Sequence, residues 1–162
     1  MLDECPEDLV RRIAVDMVFK WHWQLATVEE LVGAVCRNRQ AGELTDKHAE
    51  YHVRGEYGRC LYAAAQGDAS GRRKQYAALQ RRQERAYTEI GFYLRILARG
   101  KGYGADDVQE AVQAALVRIH SRISSCKNPA AFLHWCWIQL WEMLPKRSTD
   151  SDISRSKGSQ AG

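Results

Sequence analysis

Apolar residues recur at helical spacing along most of the chain. Leu9, Ile13, Met17 and Trp21 fall on one face at intervals of four, with Val10, Ala14 and Val18 beside them, and Pro6-Glu7-Asp8 has the makings of a helix start. Thr27-Val28-Glu29-Glu30 is a capping box, predicting a second helix from Val28 to about Gln40 with Gly42 as its stop. Thr45 predicts a third from about Asp46 to Gln66, its propensity lowered by Gly55 and Gly58. After the break Gly67-Asp68-Ala69-Ser70-Gly71, a long helix runs from about Arg72 to Arg99, basic in its first half and apolar in its second. Val108, Val112, Ala115, Leu116, Ile119 and Ile123 mark a fifth helix opening on Asp106 and Asp107, and Asn128-Pro129 should cap and start a sixth, rich in aromatics, to about Leu144. The expected fold class is all-α, a helical bundle.

Composition narrows this only slightly. The 162 residues suit one domain-sized core, and the net charge of +4 is too mild by itself to indicate nucleic acid. Its distribution is less even: residues 1 to 31 are acid-rich, whereas Arg72, Arg73, Lys74, Arg81, Arg82, Arg85, Arg95, Arg99 and Lys101 crowd the middle. Such a run is either a polyanion-facing surface or a solvated helix face. Five widely spaced cysteines without a CxxC pair, and no secretory signal, predict a cytoplasmic protein using thiols as small core residues. No apolar run approaches the roughly 18 residues of a membrane span.

In their order and spacing, Asp106-x-x-Gln109-Glu110, an apolar helix, a short break, Asn128-Pro129-x-x-Phe132-x-x-Trp135 and the terminal pair Lys146-Arg147 together resemble region 2 of the sigma-70 family. The nearest likeness is to the extracytoplasmic-function type of bacterial RNA polymerase sigma factor, and it covers about residues 87 to 147. The resemblance implies a three-helix unit that docks on the clamp coiled coil of the polymerase largest subunit and helps open the promoter at its −10 element. It implies polymerase binding by Asp106, Gln109, Glu110 and Gln113, and contact with single-stranded promoter DNA by His134, Trp135, Trp137, Trp141, Lys146 and Arg147.

Elementary chemistry is compatible with those roles. Unstacked bases are received by aromatic rings while cations follow phosphates, and carboxylates near a helix start suit a basic partner surface. Phe132 and Trp135 share a core-facing side. Trp137 lies about 200° round from Trp135 and Trp141 follows Trp137 at i+4, so these two require either a second packing layer or a binding surface.

Two departures shape the alternatives. Where the family carries a run like Ile-Ala-x-Asn, this chain has Ile138-Gln139-Leu140-Trp141-Glu142, which favours a sigma-derived helical interaction adaptor without DNA contact. No second helix-turn-helix domain follows Arg147, so a partner subunit or effector bound through the N-terminal helices is expected to supply upstream or target recognition. The expected organisation is an N-terminal helical extension over residues 1 to 70, the sigma region 2-like unit over 72 to 147 and a disordered tail over 148 to 162. A third reading is a general basic helical nucleic-acid binder using Arg72 to Lys101.

Other chemistry is set aside. His48 and His52 share a helix face, but Glu50 points away from both, unlike the glutamate of a zinc protease helix. His120, Cys126, His134 and Cys136 lack a recognised metal spacing, and Gly100-Lys101-Gly102-Tyr103-Gly104 lacks the ending of a phosphate loop. No nucleophile or carboxylate pair stands in a catalytic context, so the expectation is a non-enzymatic protein without cofactor or metal.

Overall fold

Capping chemistry and tertiary packing divide the work of setting the helix ends. The computed structural model describes residues 7–38, 45–67 and 73–146, with no strand among them. Its six α-helices are α1 Glu7–Trp21, α2 Val28–Asn38, α3 Asp46–Gln66, α4 Arg73–Gly100, α5 Ala105–Arg122 and α6 Phe132–Met143. The expected stop at Gly42, the break after Gly67, the contribution of Arg72 and the tail over 148 to 162 lie outside the described residues, or mostly so.

The capping box forms as predicted: the Glu30 amide donates to Thr27 Oγ1 at 3.1 Å and the Thr27 amide to Glu30 Oε1 at 2.9 Å. Those bonds hold the Glu30 carboxyl below its ordinary range. Thr45 caps α3 through a bond from the His48 amide at 3.3 Å. Asn128 also caps, accepting from the Ala130 amide at 3.2 Å, but what it starts is a 3-10 turn, Pro129–Ala131, and the α-helix begins only at Phe132. The expected single helix from Pro129 is therefore broken into two windings.

That turn explains Gly58 of α3. A Cβ on Gly58 would stand 3.2 Å from the Pro129 carbonyl oxygen and 3.4 Å from that of Ala130, and one on Gly55 would meet Ala130 at 3.6 Å. Gly58 lets the backbone of the turn lie closely on α3 without interrupting its course, whereas a side chain at Gly55 would make only an ordinary contact there. Gly58 is a packing feature within an unbroken helix.

α3 is central. It packs against α1, α2, α4, α6 and the 3-10 turn, while α4, α5 and α6 pack on one another. One apolar core runs through both halves of the chain: Val10, Ala14, Met17 and Trp21 of α1 belong to it together with Leu61, Leu94, Val112, Ile119, Phe132 and Leu140. Burying side chains of this size contributes about 1.5–3 kcal/mol each, which is what holds six marginal helices in place. Cys126 and Cys136 are buried free thiols, and burial raises both above the ordinary thiol range. No described helix is long and apolar enough to cross a membrane.

Polar groups lock the turn between α1 and α2. His22 adopts φ 57°, a left-handed conformation that histidine tolerates better than bulkier residues, and its ring stacks on Phe92 with centroids 4.2 Å apart. The turn then lies over Glu89 of α4, which is only 1% exposed. Glu89 accepts from the Gln24 amide at 2.8 Å, from Arg85 Nε at 2.6 Å and from the Tyr57 hydroxyl. Tyr57 Oη in turn accepts from the Leu25 amide at 2.9 Å, and the Tyr57 ring stacks on Trp23 at 4.0 Å. A buried carboxylate is tolerable because cationic, hydroxyl and amide donors all converge on it.

Candidate functional site

The candidate site occupies the outer faces of α5 and α6. α5 turns Val108, Ala111, Val112, Ala115 and Ile119 into the core, so helical geometry sends Asp106, Gln109, Glu110 and Gln113 outward, and all four are exposed. Asp107 is exposed beside them. Carboxylates at the positive end of α5 stabilise the helix, and three within its first two turns also make a local negative field.

These acids differ from most others among the described residues. Glu7, Asp8 and Glu29 gather on Arg11; Asp46 meets Arg12, Glu50 meets Arg54, Glu56 meets Arg59, Glu89 meets Arg85 and Glu142 meets Arg118. Asp106, Asp107 and Glu110 have no ion pair among the described residues. The outward stripe continues beyond Gln113 to Val117, 72% exposed, and His120. With Tyr87 and Leu116 these two line an open apolar depression of about 310 Å³ between α4 and α5. The depression lies outside the residues expected from sequence. Val117 at i+4 from Gln113 was the only signal for it, an apolar residue on the polar side of an amphipathic helix.

α6 sorts its aromatics by face. Phe132 is buried, with its ring edge-on to Tyr62 of α3 at 5.4 Å, and Trp135 stacks on Phe132 at 5.8 Å and is half-buried. Trp135 is thus chiefly a packing residue. His134 is exposed, Trp137 half-buried and Trp141 55% exposed, with the two indoles 5.8 Å apart. Ile138 is exposed between them, giving α6 an outward strip of two tryptophans and an isoleucine. Lys146 is exposed at the end of the described chain, and Arg147 lies outside the described residues.

Arg118 ties the two helices together. Its Nε donates to the buried Gln139 at 3.0 Å and its Nη2 to Glu142, so the Glu142 charge beside Trp141 is compensated from α5. The acid that the sequence places awkwardly for a phosphate neighbour thus has an internal partner.

The basic run of α4 is partly spent on structure. Arg85 bridges Glu89 and the His22 carbonyl at 2.6 Å, and Arg82 reaches the Leu25 carbonyl at 3.4 Å. Arg81, Arg95 and Arg99 are exposed without an ion pair among the described residues. The described residues contain no group of three or more His, Cys, Asp or Glu side chains placed to hold a metal ion. Comparison of the chain with protein-family models, with curated proteins and with solved structures found no match.

Proposed function

We propose that this chain is a sigma factor-like transcription initiation protein, which binds the RNA polymerase core clamp through the outer face of α5 and offers α6 to −10 single-stranded promoter DNA. The observation that carries the reading is the exposed row Asp106, Gln109, Glu110 and Gln113, whose carboxylates have no ion pair among the described residues. A basic coiled coil complements such a row in charge, and Val117 with the adjoining depression supplies apolar contact at its far end. On α6, Trp141 and Trp137 offer ring faces for unstacked bases, with Lys146 at the end for phosphate. Recognition of an upstream element, or of another target, falls to a partner subunit or effector. The reading assigns no catalysis.

Purified polymerase core and the intact protein should form a complex, and Asp106→Ala with Gln109→Ala should weaken it at least ~10-fold, about 1.4 kcal/mol or more. If core does not bind the intact protein, the proposal fails. Binding to a single-stranded −10 oligonucleotide separates the two sigma-derived readings: Trp141→Ala should weaken it by about 1–3 kcal/mol, in a salt-dependent background. Core binding without oligonucleotide binding would make the chain the adaptor that lacks DNA contact. Arg82 and Arg85, turned toward the α1–α2 turn, weigh against the general basic binder.

A further inference from the structure

The most exposed large apolar side chain of the described residues is Phe19 of α1, at 83%, with Val15 one turn before it at 47%. The inner side of the same helix is buried through Val10, Ala14, Met17 and Trp21, so Phe19 and Val15 face away from the core by helical geometry. Beside them runs a second exposed row at four-residue steps: Asp8, Arg12, Asp16 and Lys20. The signs alternate along it.

Alternating charge at i, i+4 commonly stabilises a solvated helix from within. Along this row no i, i+4 ion pair forms among the described residues. Asp8 turns to Arg11 at 3.4 Å, Arg12 reaches Asp46 of α3 at 3.4 Å, and Lys20 Nζ stands 4.7 Å over the Trp21 ring. Asp16 has no ion pair among the described residues.

We infer that the outer face of α1 is a self-association surface, on which a second copy of this chain lays its own α1 antiparallel about a twofold axis level with Ala14. The charge order selects this occupant. Antiparallel about that point, Asp8 of one copy faces Lys20 of the other and Arg12 faces Asp16, so each charge meets its opposite and the pattern closes on itself. A parallel pairing in register sets like charges against like. The same antiparallel register brings the two Val15 side chains together near the axis and lays each Phe19 between Asp8 and Arg12 of the second copy, where it covers the arginine stem and meets its guanidinium face. The guanidinium has donors enough to keep its reach to Asp46 as well. α1 packs on α2, α3 and α4, so the dimer uses no residue of the α5 and α6 faces and is independent of the polymerase and DNA contacts proposed there.

One helix face is a small interface, which gives self-association on the order of 10–100 µM. Sedimentation equilibrium of the full chain over a concentration series spanning that range tests it. The intact protein should show a monomer–dimer equilibrium that weakens in high salt. Asp16→Arg, at a residue with no internal ion pair, should raise the dissociation constant at least ~10-fold, as should Phe19→Ala. Arg12→Asp should do the same. The double variant Arg12→Asp with Asp16→Arg restores opposite charges across the axis and should restore dimerisation. The two single charge variants, each monomeric alone, should dimerise when mixed, because each then supplies what the other lacks. Circular dichroism verifies that every variant is folded. A monomeric intact protein at all concentrations, an Asp16→Arg variant that dimerises like the parent, or single charge variants that fail to pair on mixing each overturns the inference.

Discussion

Glu89 on α4 and Glu110 on α5 are the same residue type on neighbouring helices, with opposite fates. Glu89 is buried and receives an amide from the α1–α2 turn, a hydroxyl from α3 and a guanidinium from its own helix, so its charge is consumed in joining three parts of the fold. Glu110 is exposed beside Asp106 and Asp107, and none of the three has an ion pair among the described residues. A charged side chain is architecture where donors converge on it and a means of attraction where none do. The same distinction separates Arg85, spent on Glu89 and the His22 carbonyl, from the exposed Arg95 and Arg99.

The contrast is sharpest where it is easiest to break. Glu89→Ala leaves Arg85, Tyr57 and the Gln24 amide without their common acceptor, and should destabilise the fold by about 3–5 kcal/mol, read as a lower urea midpoint. Glu89→Gln keeps an acceptor oxygen and should cost less.

Tyr57→Phe, which strands the Leu25 amide, should cost about 1–3 kcal/mol. It should also change the response to alkali. Burial, aided by the bond to Glu89, raises Tyr57 above its ordinary range, and burial pushes Tyr87 up to about 12. Groups raised in the folded state contribute stability that is complete below their unfolded pKa and is lost as pH rises toward the folded one. Stability should therefore decline above pH about 10, the ordinary tyrosine value, and less steeply in the Tyr57→Phe variant, as measured by urea midpoints across that interval.

At the far end of the scale, Trp141→Ala should change stability by about 0.5 kcal/mol or less, because the ring is more than half in water. A large loss of stability at Trp141 would make it a core residue and erase the difference between the two regions on the α6 side.

Local patterns in the chain were sufficient for much of this structure. Thr27 with Glu30, Thr45 and Asn128 are caps that act over three residues, and each caps where its spacing predicts. The periodicity of α5 was enough to point Asp106, Gln109, Glu110 and Gln113 outward, since burying one side of a helix exposes the other. The separation of Trp137 and Trp141 from the Phe132 side of α6 was legible for the same reason.

What the linear pattern could not contain were meetings between distant residues. Glu89 reads as one more charge in a basic helix until α3 and the α1–α2 turn arrive above it, 32 and 65 positions away at Tyr57 and Gln24. Gly58 reads as a weak point until the Pro129–Ala131 turn needs its missing side chain. Arg118 gives no sign that it will hold Gln139 and Glu142. Helical periodicity and caps are set by interactions within a turn or two, so the sequence alone determined the six helices and which side of α5 faces outward. Which charges are left for a partner depends on which donors and acceptors long-range packing brings together, and that only the tertiary structure decided.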